Sequence, residues 1–270
     1  LFFVYILTGS GLMKKLKIFA IGDIVGRAGR NILASRLQGI VERERIDLVI
    51  ANGENSAGGM SMTSEVTRDL FSLGIQVITS GNHVWNNNDI LQIIDSEKYL
   101  LRPANYPEDV PGKGYCLFNV KGSKICVINL MGRVMMSSLD CPFRKFDAIY
   151  EKVKDESAAI VVDFHAEATS EKQAFGWYVA GRASAVFGTH THVQTADNRI
   201  LPGGTGYITD IGMTGAFDSV IGMKKERSLK FFLTQTRAKF EPAAGDPGIN
   251  GVIIKIDADG KCTEMRRVME

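Results

Sequence analysis

The sequence predicts an α/β protein, one domain built as two β-sheets flanked by helices, and three observations predict it. From Leu16 onward, a short apolar strand, a glycine-containing turn and an amphipathic helix follow one another repeatedly, which argues for parallel βαβ units. Beyond Tyr115 the segments turn mainly β, starting with a hairpin, which calls for a second sheet. Polar residues also recur just past the strand ends, the edge of an α/β sheet where ligands bind.

Taken in order, Leu16–Gly22 reads as a strand ending in Asp23, and Gly29–Arg45 as an amphipathic helix. Asp47–Ala51 is a short buried strand that runs into Asn52-Gly53-Glu54-Asn55. Thr63–Leu73 is helical, with Thr63 or Ser64 as N-cap. Gln76–Thr79 is the next strand, ending at Ser80-Gly81-Asn82-His83, and Asn88–Ser96 gives a short helix. Tyr115–Val120 and Lys124–Asn129 form the hairpin around Lys121-Gly122-Ser123. Phe143–Lys154 is helical, and Ala158–Phe164 is an apolar strand leading into His165. Glu171–Val179 is helical, and Ala183–Gly188 is a strand leading into His190 and His192. Gly206–Asp210, Leu229–Thr236, Val252–Ile256 and Thr263–Val268 continue as short, mainly β segments.

Composition narrows the function. The 270 residues carry 32 Lys and Arg against 30 Asp and Glu, and the net charge of +2 excludes a generally basic, DNA-coating protein. The four cysteines are scattered without a C-x-x-C pair, so neither a zinc knuckle nor a disulfide framework is implied. Buried free thiols are expected at Cys116 and Cys126, and a reducing cytoplasm is the expected compartment. Residues 1–12 begin apolar, but the run is too short for a membrane span and lacks a basic leader. They are read as an N-terminal extension, with a weak membrane anchor as the minority reading, before a single domain at 13–270.

The chemistry lies at the strand ends. Asp23, Glu54 with Asn55, Asn82 with His83, His165, and His190 with His192 all fall there, and all four histidines of the chain belong to this set. A lone histidine is more often a satisfied core or surface residue than a ligand; the recurrence beside carboxylates and amides changes that balance. Imidazole nitrogen with carboxylate and amide oxygen suits Fe, Mn, Co or Zn, whereas Mg favours an oxygen-only shell. Three candidate ligating histidines with Asp23 and Glu54 exceed one tetrahedral site and suit two ions sharing a carboxylate. Such a pair, about 3.5–4 Å apart, is the clamp used for in-line displacement at phosphorus.

Gly22-Asp23, Gly53-Glu54-Asn55, Gly81-Asn82-His83, His165 and Gly188-Thr189-His190-Thr191-His192 resemble, in order and spacing, the five blocks of the calcineurin-like metallophosphoesterases. The sequence departs at three points: Val25 replaces the first block's histidine, Glu54 the bridging Asp, and Val84 the acid after His83. Asn55 offers a replacement oxygen for the missing histidine. These departures resemble the pattern of the YmdB-like bacterial phosphodiesterases. That similarity runs from Met13 to the C-terminus and includes Asp163-Phe164-His165 through Glu171-Lys172 and Thr209-Asp210-Ile211-Gly212. Asn86 stands where an acid is expected after Trp85, a change expected to touch only loop hydrogen bonding.

The resemblance implies two mixed sheets packed as a sandwich between helices, a four-layer αββα arrangement. It implies one metal on Asp23, Glu54, Asn55 and His192, and a second on Glu54, Asn82, His165 and His190. Glu54 would bridge, and His83 would be the general acid. The ions would be divalent or mixed-valence, Fe or Mn first, with Zn, Co and Mg as alternatives. The implied activity is hydrolysis of 2′,3′-cyclic nucleotides to 3′-nucleotides by a metal-bridging hydroxide. The alternatives are a metal-containing regulatory or RNA-processing partner protein, or a phosphomonoesterase. Expected partners are a nucleotide or RNA-derived small substrate, a regulatory protein and further copies of the chain as a homo-oligomer, with no membrane.

Other residues carry two readings each. Arg27 and Arg30 contact a phosphate or, more commonly for such a helix face, solvent. Trp85 and Tyr178 stack a nucleobase or pack. Gly58-Gly59 and Gly203-Gly204 admit substrate to the backbone or simply turn the chain. Gly26-x-x-Gly29 lacks the remainder of a nucleotide loop. Asp163 and Glu167 are candidate partners behind His165, Asp163 the better one.

Overall fold

The structure is a computed structural model that describes residues 15–270; the reading of residues 1–12 lies outside them. In chain order the elements are β1 (Leu16–Ile21), β2 (Asp23–Ile24), α1 (Gly26–Glu44), β3 (Leu48–Asn52), α2 (Ser64–Ser72) and β4 (Val77–Thr79). After a 3-10 turn at Asn88–Gln92 come β5 (Tyr115–Val120), β6 (Ser123–Met131), α3 (Pro142–Val153), β7 (Ala159–His165), α4 (Thr169–Val179) and β8 (Ala185–Thr189). Then follow β9 (Arg199–Leu201), β10 (Thr205–Ile208), β11 (Met213–Ala216), α5 (Lys225–Thr234), β12 (Pro247–Gly248), β13 (Asn250–Ile256) and β14 (Cys262–Met269).

The strands form two large mixed sheets, ordered β14-β13-β1-β3-β4 and β5-β6-β7-β8-β10-β9, and a small sheet β12-β11-β2. Alternation of side chains along each strand makes the layers. In β1, Leu16, Ile18 and Ala20 join the core that Val127, Val161 and Phe187 of the other sheet complete. Phe19 and Ile21 point the other way, onto Leu33, Leu37 and Ile40 of α1 and Leu70 of α2. In the second sheet, Ile128, Val162 and Phe164 meet Phe146 and Ile149 of α3 and Phe175 of α4. The order is therefore helix, sheet, sheet, helix. Strands covered on both faces read as continuous apolar runs, which is why they were legible.

Local signals explain several boundaries. Thr63 Oγ1 accepts from Val66 N at 3.3 Å and caps α2. The β5–β6 hairpin closes Val120 on Ser123, with Lys121 and Gly122 at φ 52° and 88°. It is thus a two-residue turn in the left-handed region, one residue tighter than the sequence suggests. Helix α1 starts at Gly26, not Gly29. Gly29 belongs to its first turn, where a Cβ would lie 2.3 Å from Thr214 O and push α1 off β11.

One element is of the wrong type in the sequence reading. Leu229–Thr236, read among the mainly β segments, belongs largely to α5. The run Phe231-Phe232-Leu233 has strand-like composition, but Leu229, Phe232 and Leu233 sit at helical spacing on an exposed face. The four cysteines are free, and Cys116, Cys126 and Cys262 are buried. Among the described residues no helix is long and apolar enough to cross a membrane.

Candidate active site

β1, β3 and β4 run parallel in one sheet, and β6, β7 and β8 run parallel in the other. The loops following β1, β3, β4 and β8, with the last residue of β7, gather the proposed ligands and His83 in one place. Close backbone approach requires glycine there. A Cβ at Gly22 would stand 1.9 Å from Gly212 O, and one at Gly188 1.8 Å from Thr209 O.

The protonation of the histidines follows from their partners. Thr189 Oγ1 donates to Asp163 Oδ1 at 2.7 Å, so it accepts from His165 Nδ1 at 2.9 Å. His165 Nε2 then faces Asn82 Oδ1 at 2.9 Å, Glu54 Oε1 at 3.0 Å and His190 Nδ1 at 3.1 Å. His190 Nε2 lies 3.0 Å from Glu167 Oε2, which commits the proton of that ring outward. His192 Nδ1 donates to Ile221 O at 2.8 Å, leaving Nε2 toward Asn55 and Asp23.

Lone pairs from a carboxylate, an amide and two imidazoles thus point at one another, an arrangement that only a cation or a proton relieves. Burial opposes charge on both Glu54 and His165, yet their mutual attraction and hydrogen bond win. His165 is held up at about 9 and Glu54 down at about 2. Burial and the adjacent His165 push His190 down to about 3, the neutral form a ligand needs.

The residues fit a metal centre on a second count. Glu54, His165 and His190 offer ligand atoms within 4.8 Å of one another. Beside them, Asp23 Oδ1 and Asn55 Oδ1 are buried without a hydrogen-bond partner. A buried oxygen left unpaired costs roughly 1–3 kcal/mol unless something else satisfies it. Asp23 Oδ1 lies 3.9 Å from both His165 Nδ1 and His192 Nε2, and Asn55 Nδ2 lies 3.1 Å from His192 Nε2, so all seven proposed ligands are neighbours in one cluster.

His83 stands apart from this donor set. Its backbone N–H donates to Glu54 Oε2 at 3.1 Å, and its half-exposed ring lines a cavity of about 370 Å³ with Glu167, His190 and His192. Asn86 Nδ2 donates to Met60 O at 3.0 Å and contacts His83 Nδ1 at 2.8 Å. The other ring nitrogen, Nε2, faces Asn82 Nδ2 at 3.3 Å, so amide nitrogens stand at both edges of the ring. Burial pulls His83 below the ordinary histidine value, against the charge of Glu54. Asn86 does act through loop hydrogen bonding, as expected, but one of its bonds is to the proposed general acid.

The loop after β8 is strained. His190 and His192 have φ of 96° and 65°, left-handed values that cost non-glycine residues on the order of 1–3 kcal/mol. Asp210, unassigned by the sequence reading, holds the loop through Thr191 N at 3.1 Å and Thr191 Oγ1 at 2.8 Å. Lys172, 1% exposed, bonds Asp210 Oδ2 and Thr189 O, each at 2.7 Å. A lysine inside an apolar helix face facing a strand-end Asp was the available signal. Lys172→Met should leave a buried carboxylate unpaired and destabilise the protein by about 3–5 kcal/mol in urea titration. An unchanged midpoint would remove the pair from the account of this loop.

Other expectations resolve individually. Asp163 reaches His165 through Thr189 and also accepts from Thr79 Oγ1 at 2.5 Å. Glu167 serves His190, not His165, because it lies beyond the end of β7 on the His190 side. Arg27 and Arg30 do not line the cavity. Trp85 packs edge-on against Tyr106 at 5.8 Å, and Tyr178 donates to Asp147 Oδ2 at 2.5 Å; neither lines the cavity. Gly58, Gly59, Gly203 and Gly204 all have positive φ, so turn geometry accounts for them. A larger cavity of about 510 Å³ near Lys98, Lys113 and Lys152 contains none of these strand-end residues.

A helix-flanked sheet sandwich whose strand ends deliver Asp, Glu, Asn and His to one cleft defines the metallophosphoesterase class. Within that class the chain belongs to the YmdB-like family, whose model matches residues 19–268. It is 46% identical over 246 residues to the 2′,3′-cyclic-nucleotide 2′-phosphodiesterase of Bacillus subtilis (strain 168), covering 91% of this chain and 93% of that one. A crystal structure of a protein from Thermus thermophilus superposes with a TM-score of 0.89 at 38% identity, covering 94% of this chain and 99% of that chain. The crystal structure of a Mycoplasma pneumoniae protein described as a novel phosphatase gives 0.90 at 35% identity, covering 96% and 94%.

Proposed function

We propose that the protein is a phosphodiesterase that hydrolyses 2′,3′-cyclic nucleotides to 3′-nucleotides at a dinuclear metal centre. The convergence of lone pairs on Glu54, Asn82, His165 and His190, beside the unpaired oxygens of Asp23 and Asn55, carries the proposal. Asp23, Glu54, Asn55 and His192 would hold one ion; Glu54, Asn82, His165 and His190 would hold the other. The mixed nitrogen and oxygen set favours Fe or Mn, with Zn, Co and Mg as further occupants. Bound there, such cations supply positive charge to the phosphoryl oxygens and bring the pKa of water toward neutrality.

The chain's own groups do the rest. A water oxygen, its proton lost to solvent, would join phosphorus as the P–O2′ bond breaks, and the His83 imidazolium would give the departing O2′ a proton and be left as neutral imidazole. Asn86 orients that imidazole, and Thr189 with Asp163 orients His165. The 46% identical relative bears the name of this activity, which supports the substrate class.

Protein reconstituted with Fe or Mn should convert 2′,3′-cyclic AMP to 3′-AMP and also cleave bis-nitrophenyl phosphate. No turnover of either would end the reading. Elemental analysis of the same protein should give close to two ions per chain. A single ion in excess metal would mean that Asn55 does not compensate for Val25.

A further inference from the structure

The cavity at the candidate site has a second wall that the phosphodiester chemistry does not use. Between β11 and β12 the chain runs out as an arm containing α5, and it packs back on the site loops. Gly222 lies so close to Val25 that a Cβ would meet Val25 Cγ1 at 2.7 Å. Gly59 makes the same kind of approach to Pro242, at 2.7 Å. His192, a proposed ligand, is tied to the arm through Ile221 O. Phe231, Phe232, Phe240, Ile221 and Met223 of this arm, with Met60 opposite, line the same cavity as Glu54, His83 and His190. Phe231 stands edge-on to both Phe232 and Phe240, with ring centroids 5.4 and 5.7 Å apart. Phe232 remains 66% exposed and Phe240 38% exposed, although both are apolar.

We infer that this aromatic wall is the nucleobase subsite of the same active site. The inference rests on the phosphodiesterase reading. One cavity of about 370 Å³ joins a pole of histidines and acids to a pole of phenyl rings, within the size range of small-ligand sites. A cyclic nucleotide has the same two poles, an anionic phosphodiester and a flat aromatic base, joined by one ribose. The exposed ring faces offer stacking and desolvation to a base. On the arm, the cavity-lining polar side chain is Ser228, which is buried. Without a set of donors and acceptors to read base edges, such a wall accepts every base and favours those with larger faces. Purine substrates should therefore bind more tightly than pyrimidine ones, with similar kcat.

The test uses the metal-loaded full chain, its Phe232→Ala and Phe240→Ala variants, and Leu233→Ala as a control on the same helix. Leu233 is 81% exposed and does not line the cavity. Substrates are 2′,3′-cyclic AMP, 2′,3′-cyclic CMP and base-free glycerol 1,2-cyclic phosphate. Base stacking is worth about 5- to 150-fold per base, so each Phe variant should raise KM for the nucleotides by that order. Their kcat, and kcat/KM on the glycerol ester, should stay near wild type, and Leu233→Ala should match wild type throughout. Adenosine should inhibit the wild type competitively and the Phe variants far less. Equal losses on the base-free ester, no change in nucleotide KM, or a Leu233→Ala defect as large as that of Phe232→Ala would overturn the subsite. Wild-type protein inactive on all three esters would instead overturn the phosphodiesterase reading itself.

Discussion

His83→Ala is expected to keep its full metal content and lose roughly 10²–10⁴-fold in rate on a 2′,3′-cyclic nucleotide, the usual worth of general acid–base catalysis. Two features of the site separate this residue from its neighbours. Its side chain lies outside the group of converging lone pairs, and it touches Glu54 through a backbone N–H that alanine preserves. Among the described residues, its ring nitrogens meet the amides of Asn82 and Asn86. Removing the ring therefore takes away a proton donor without removing a ligand. A ribose hydroxyl is a poor leaving group and needs that proton, whereas nitrophenolate departs with little help. The deficit should accordingly shrink on bis-nitrophenyl phosphate. His165→Ala or His190→Ala should behave differently, lowering metal content and slowing both substrates alike. An equal loss on good and poor leaving groups, or one missing ion in His83→Ala, would show that His83 is a ligand or a structural residue.

The strand ends were legible because each followed a short run of buried apolar residues, and a strand covered on both faces leaves an unmistakable apolar trace. That trace put His165 and His190 each at a strand end, while their sharing of one site came only from the family resemblance. What the sequence concealed depends on contacts between distant segments. Asp210 and Lys172 lie 38 positions apart, and the lysine's place on an apolar helix face hints at a buried partner without saying which acid supplies it. The partner of Glu167 depended on which side of β7 the following loop left the sheet. Helix α5 was hidden by its own composition, since three consecutive bulky apolar residues suit a strand as well as a helix. Tertiary context decided it, and with it the place of the aromatic wall.

Val25 shows the same point from the other side. As a missing ligand it looked like a deficit to be made good by Asn55. In the fold it is 1% exposed and packed against Gly222 and Gly215, so it seats the arm that closes the cavity. A histidine ring there would have to displace Gly222, and with it Ile221, whose carbonyl orients His192.

The second large effect is expected from the smallest change, Gly81→Ala. A Cβ on Gly81 would fall 2.2 Å from His165 Nε2 and 2.5 Å from Glu54 Oε2, well inside van der Waals contact with two proposed ligands. Neither can step aside, since both side chains are fully buried and His165 is pinned through Thr189 to Asp163. The strain must instead move the loop after β4, which carries Asn82 and His83. A shift of about 1 Å in such a constellation costs on the order of 10²-fold in rate. Because ligands of one group move, metal content should fall as well, which His83→Ala does not share. Gly39→Ala is the matched control. Gly39 is exposed on α1 with nothing within 4 Å of its added Cβ, so the change should stabilise by up to about 1 kcal/mol and leave rate and metal content alone. Gly81→Ala protein with wild-type metal content and wild-type kcat would mean that the backbone at Gly81 does not set the distance between Glu54 and His165. The proposed division of the ligands between two ions would then need another origin.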